Sequence, residues 1–186
     1  MIGVRTLAAL LVVVALAPVA AVAQHGAGHD SPYREQHAAG ARGLSPKEID
    51  DLRAGRGMGL ARAAELNGYP GPRHVLDAAA AGTLPLTPEQ TRGIERVFEA
   101  MEREAQRLGA RVIAEEEALE AAFRAGGVTE AALAERVRRV AAVQGELRQV
   151  HLRAHVATRA LLTEAQVARY NEVRGYTAGA PAHQRH

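Results

Sequence analysis

The sequence predicts an all-α protein built on a long antiparallel helical hairpin, with short helices before it and one shorter helix after it. Three observations predict this. Apolar residues recur at three- and four-residue spacing from Ile94 to Phe123 and again from Leu133 to Leu161, which is the period of a helix burying one stripe. A Gly126-Gly127 pair separates the two stretches, and two long helices joined by so short a loop lie antiparallel. No alternating β-branched run occurs anywhere in the chain, so no strand is expected.

Taken in order, residues 1–23 read as a secretory leader. Arg5 supplies a positive start, Leu7 to Val22 is apolar except for Pro18, and Ala21-Val22-Ala23 gives the small-residue cleavage pattern before Gln24. The run is short for a spanning helix, which needs about 20 apolar residues; an uncleaved N-terminal anchor is the alternative. Either way the remainder is expected outside the cytoplasm, in the periplasm, and no later segment is apolar enough to span a membrane. Residues 24–43, rich in Gly, His and Ala without periodicity, are expected to form a flexible arm, and residues 177–186 a disordered tail. A helical domain over residues 44–176 remains.

Ser45-Pro46-Lys47-Glu48 combines an N-cap, a proline at the first helical position and a capping-box glutamate, predicting a helix to about Ala54. Arg56–Leu66 predicts a second short helix, ended by Asn67-Gly68. Tyr69-Pro70-Gly71-Pro72 forms a rigid turn, because two prolines so close forbid a continuous helix. Arg73 to Ala81 gives a third helix. The hairpin opens at Leu86-Thr87, its second helix is capped by Thr129, and a last helix begins at Thr163 with Val167, Tyr170 and Val173 on its seam. The outer faces carry Glu99/Arg103, Glu120/Arg124 and Glu135/Arg139 at i,i+4, pairs of a solvated face worth roughly a few tenths of a kcal/mol each. Glu115, in the triplet Glu115-Glu116-Glu117, interrupts the apolar stripe and is read as a surface feature. Narrow, Ala-rich seams bury little area per residue, so the hairpin needs the short helices, a second copy or both; a homodimer is expected.

Composition removes several function classes. With no Cys among 186 residues, a disulfide framework, a Cys-ligated zinc site, an iron–sulfur cluster and thiol catalysis are all impossible. Lys and Arg number 23 against 21 Asp and Glu, a net charge of +2, with no basic block or aromatic-flanked Arg stripe, so nucleic acid is not an expected partner. A nucleophile elbow, a phosphate loop, His-Glu-x-x-His and a dinucleotide fingerprint are all missing. An enzyme is therefore not expected, nor an organic cofactor.

One pattern occurs twice: Leu86-Thr87-Pro88-Glu89-Gln90 and Leu162-Thr163-Glu164-Ala165-Gln166. In each, Thr caps a helix and Gln, three residues on, reaches back to the N–H of the cap. In the second copy Leu162 and Val167 also suit a hydrophobic staple. Taken alone, both are good helix starts. Two copies flanking a helical hairpin in an exported, Cys-free chain nevertheless resemble the periplasmic LTxxQ family of Spy, CpxP and the zinc-associated ZraP, with CnrX-like heavy-metal sensors as more distant relatives. The resemblance spans roughly Ser45 to Tyr176. It implies a small helical dimer that holds unfolding proteins without ATP, or a periplasmic metal binder coupled to a signalling partner or to chaperone assembly. The chain departs from the Spy pattern in Arg56-Gly57-Met58-Gly59-Leu60 and in Tyr69–Pro72.

Eight histidines are unevenly placed. His151 and His155 stand at i,i+4 on one long helix, so both rings project from the same face and can share a metal ion. Counting back through the Gly126-Gly127 turn sets His155 near Glu99 and His151 near Arg103, with Glu102 about a turn away. Two imidazoles with one or two carboxylates suit Zn²⁺, Ni²⁺, Co²⁺ or Cu²⁺ alike. His25 and His29 repeat the spacing in the arm. CnrX-like sensors resemble this, with a His-x-x-x-His near the mature start, a helix Glu and a later His-x-x-x-Met; here His151-x-x-x-His155 replaces the thioether by a second imidazole. The plainer reading makes His151 a hydrogen-bonded core or interface residue and His155 its solvated neighbour. His74 reads as a helix-start residue, and the remaining tail histidines as adventitious binders.

The function expected from these readings is an exported envelope-stress or heavy-metal-resistance protein that binds a transition metal and senses, buffers or chaperones. Two alternatives stand beside it. One is an ATP-independent holdase for unfolded client proteins with no metal role. The other is an inhibitory subunit of an inner-membrane sensor kinase or anti-sigma factor.

Overall fold

In a computed structural model of the chain, Tyr33 and residues 43–176 are described; the leader, His25 and His29 of the arm, and the C-terminal tail lie outside them. Every described helix belongs to one unit, Glu35–His186. The described residues are all helical or loop, in the order α1 (Pro46–Arg53), α2 (Arg62–Glu65), α3 (Pro72–Ala80), α4 (Pro88–Ala125), α5 (Glu130–Ala160) and α6 (Glu164–Val173). No helix among them is long and apolar enough to cross a membrane.

The caps form as their residue types demand. The Ser45 hydroxyl accepts from the Glu48 N–H at 3.2 Å while the Glu48 carboxylate accepts from the Ser45 N–H at 2.8 Å, closing the box at the start of α1. Thr87 and Thr163 cap α4 and α6 with boxes of their own, and Thr129 caps α5. The turn from α4 to α5 uses Gly126 and Gly127 at φ 74° and 68°, a left-handed backbone that glycine adopts at little cost.

One helix is shorter than its sequence suggests. The stretch Arg56–Leu66 is helical only over Arg62–Glu65. Met58 and Gly59 take φ values of 43° and 78°, and two successive left-handed residues cannot sit inside a right-handed helix. The chain instead turns through Gly57–Leu60, closed by the Leu60 N–H on the Gly57 carbonyl at 2.7 Å.

The short helices cover one end of the hairpin. α1 crosses α4 at Gly109, where a Cβ would lie 2.1 Å from the Leu52 carbonyl oxygen, so only glycine admits the crossing. Around it Leu44, Leu52, Leu108, Val112, Val143 and Leu147 form one buried cluster. A second, at the open end of the hairpin, gathers Val75, Leu84, Ile94, Leu162, Val167 and Tyr170 from α3, the α3–α4 loop, α4, the α5–α6 junction and α6. The far end differs. Phe123 and Val137, expected on the buried seams, are 57% and 49% exposed. The reason is geometric: none of the buried clusters extends there, so the seams of α4 and α5 cover only each other.

The two Leu-Thr-x-x-Gln copies meet. Besides capping its own helix, Gln90 donates from Nε2 to Gln166 Oε1 at 2.8 Å and to the Leu161 carbonyl at 2.8 Å. Gln166 returns the bond to Gln90 Oε1 at 2.9 Å and donates to the Pro85 carbonyl at 2.9 Å. The two side chains thus clasp the start of α4 to the start of α6. Leu162 is buried beneath the clasp, and Leu86 packs beside it.

Candidate functional site

His151 and His155 sit one turn apart on α5, where the α1–α3 segment lies against it. His151 is 3% exposed, and its Nε2 is buried with no hydrogen-bond partner. Burial, with His155 nearby, pushes its pKa below the ordinary histidine value, so the ring is neutral at pH 7 and keeps one nitrogen lone pair.

His155 is held by the turn before α3. Its Nδ1 lies 2.7 Å from the Tyr69 carbonyl oxygen. A carbonyl can only accept, so Nδ1 carries the proton, and in the neutral ring Nε2 holds the lone pair. The Nε2 side faces Gly71, where a Cβ would come within 3.1 Å of that nitrogen. The glycine keeps this edge of the ring uncrowded.

The carboxylate that reaches His155 is Glu65 of α2, at 3.6 Å from Nδ1. It is heavily engaged: Tyr170 and Tyr176 donate their hydroxyls to Oε1 at 2.5 and 3.2 Å, the Gly71 N–H donates to Oε2 at 3.1 Å, and Arg174 stands 3.6 Å away. Burial and the adjacent Glu65 carboxylate hold the Tyr170 hydroxyl well above the usual phenol range, so it stays protonated and donating.

Two cavities of about 430 and 510 Å³ share Gly57, His74, His151 and His155 in their walls. Met58 and Glu65 line the first, and Met101 and Glu102 the second. Glu102 is thus brought to the same cavity as the histidine pair. Glu99 is not. It lines a neighbouring groove, which shares Arg73 and Phe98 with the second cavity, and pairs with Arg103 at 3.7 Å. Counting residues around the hairpin turn considers only α4 as the partner of α5. The α2–α3 segment also packs on α5 and supplies Glu65 and the Tyr69 carbonyl. His74, read from sequence as a helix-start residue, stands in α3 and helps wall both cavities.

Sequence reasoning missed Glu65, Tyr69, Gly71 and Tyr170. Glu65 and His155 are ninety positions apart, and no local spacing marks that contact. Among the described residues, no three of His, Asp or Glu are grouped so as to hold a metal ion. Comparisons with protein-family models, with curated proteins and with solved structures give no match.

Proposed function

We propose that this protein binds a transition-metal ion through His151 and His155, as part of an exported stress or metal-resistance system that buffers, senses or chaperones. The observation that carries the reading is the neutral His151 ring with its orphaned Nε2, a buried polar atom that costs about 1–3 kcal/mol while unpaired. A metal ion is one partner that would satisfy it. His155 supports the reading in a second way: a ligating histidine ordinarily donates its other N–H to a carbonyl or carboxylate, and the Tyr69 carbonyl takes that bond here. When bound, the ion would supply Lewis acidity and a link between α5 and whatever completes its shell. Tyr69 orients the His155 ring, and Glu65 places negative charge beside it. His25 and His29 of the arm are candidates for the further ligands.

The test is titration of the chain with Zn²⁺, Ni²⁺, Co²⁺ and Cu²⁺ beside a His151→Ala/His155→Ala variant of equal helical circular dichroism. Micromolar or tighter binding lost in the variant supports the site. Equal binding in both overturns it and leaves the metal to the arm and tail histidines.

A holdase reading is favoured by one observation, the exposed Phe123 and Val137 at the far end of the hairpin. Uncovered apolar side chains offer weak, promiscuous contacts to unfolded clients or to a second copy. Under that reading, Phe123→Ser/Val137→Ser weakens suppression of client aggregation while the histidine variant leaves it intact.

A further inference from the structure

The groove that Glu99 lines runs between α3, the α3–α4 loop and the first turns of α4, with a volume of about 780 Å³, room for several side chains of a partner. Its lining is divided by type. Half-buried Leu76, Leu86 and Phe98 give it an apolar floor, and the exposed carboxylates of Asp77, Glu95 and Glu99 form its rim. Arg73 is the single cation among the described residues that line it, and it is already engaged. Its guanidinium lies 3.9 Å from the centre of the Phe98 ring and 3.8 Å from the Asp77 carboxylate.

That contact is an internal example of what the groove accepts: a cation over an aromatic face with a carboxylate near it. One such cation leaves the charge unbalanced. Glu95 has no ion-pair partner among the described residues. Glu99 faces Arg103, which does not line the groove, and both side chains of that pair are mostly exposed, so the contact is worth little and is readily exchanged. Three carboxylates against one guanidinium make a negative rim over an apolar floor, which attracts and orients cationic groups. Glu95 and Glu99 stand one turn apart on α4, the spacing at which a partner helix repeats side chains along one face. Independently of the metal reading, we propose that this groove docks a basic amphipathic segment of a partner protein. Its apolar side chains lie on Leu76, Leu86 and Phe98, and its Arg or Lys side chains meet Glu95 and Glu99. The same arrangement rejects acidic segments by like charge.

The experiment titrates the full chain into a fluorescently labelled synthetic helical peptide with leucines along one face and arginines flanking them, followed by anisotropy. Two further peptides replace every arginine by glutamate or every leucine by serine. Saturable one-to-one binding is expected for the Leu/Arg peptide, weakening as salt rises, with little binding of the other two. Glu95→Lys/Glu99→Lys is expected to weaken it about tenfold or more. Glu117→Lys/Glu130→Lys, the same charge change on two exposed carboxylates at the turn end, is expected to leave it intact. Equal weakening in both double variants overturns the site in favour of general charge attraction. Equally tight binding of the leucine-free peptide removes the apolar floor from the account and overturns it too. Self-association of the parent chain that Glu95→Lys/Glu99→Lys abolishes would give the groove to a second copy instead. His151→Ala/His155→Ala is expected to bind the peptide as the parent does, so the groove and the metal site stand or fall separately.

Discussion

The two ends of the hairpin are built from the same kind of helix and differ in what covers them. From Ile94 at the open end to Leu108 and Val112 around the Gly109 crossing, the stripe of α4 is almost completely buried under α1, α3 and α6. At the turn, Phe123 and Val137 occupy equivalent stripe positions and stay about half exposed. A helical period therefore shows which residues lie on one face, and says nothing of whether a third layer will cover that face. That depends on residues far away in sequence, here the short helices between positions 46 and 80.

The sharpest way to break this contrast is to truncate one side chain in the covered part and one at the turn. Leu108→Ala is expected to cost about 2–5 kcal/mol of unfolding free energy, whereas Phe123→Ala stays within about 0.5 kcal/mol. Urea unfolding followed by circular dichroism measures both, and equal losses would mean that the turn end is covered in solution. Next in size are two glycines. Gly109→Ala drives a methyl into the Leu52 carbonyl and is expected to cost about 1–3 kcal/mol by displacing α1. Gly145→Ala meets open space within α5 and is expected to add about 0.5–1 kcal/mol of stability. Thermal melts of the pair separate a packed glycine from one that merely weakens its helix.

The clasp comes third. Gln90→Ala and Gln166→Ala are each expected to cost about 1–2 kcal/mol, and the double variant less than the sum, since both remove the same reciprocal bonds. Additive losses would show that each glutamine acts only within its own cap. The smallest effect is one of pH. The His151 pKa is lowered in the folded chain, so below the unfolded-state value of about 6.5 the unfolded chain binds a proton that the folded chain resists. Stability is therefore expected to fall as pH drops from 7.5 to 5.5. His151→Leu, compared by urea midpoint at both values, is expected to flatten part of that slope; an unchanged slope would assign it to other groups.

Much of the helical layout was legible in the sequence because helix ends are local. Ser45, Thr87, Thr129 and Thr163 announce their caps within four residues. The Gly126-Gly127 turn was legible for the same reason, and so were the i,i+4 pairs Glu120/Arg124 and Glu135/Arg139, which close at 2.7 and 2.9 Å. The start of α2 was not. Arg56, Met58 and Leu60 suit a helix, but Gly57 and Gly59 between them weaken it, and the chain takes a left-handed turn at Met58 and Gly59 instead. The candidate site divides in the same manner. One helical turn joins His151 to His155 and could be counted, but Glu65 and Tyr69 reach His155 through tertiary packing. The twin motifs were legible as caps; that their glutamines would bind each other depends on positions 76 residues apart.

The crossing at Gly109 also has a mechanical consequence. A hairpin fixed at one end is a cantilever, and its deflection under an end load grows as the cube of its free length. With a 1.5 Å rise per residue, the overhang from Gly109 to Gly126 is about 25 Å, against about 54 Å measured from Gln90. Bracing by α1 thus stiffens the arm about tenfold against bending at the tip. His151 and His155 lie on the rooted side of that brace, outside the overhang that deflects most.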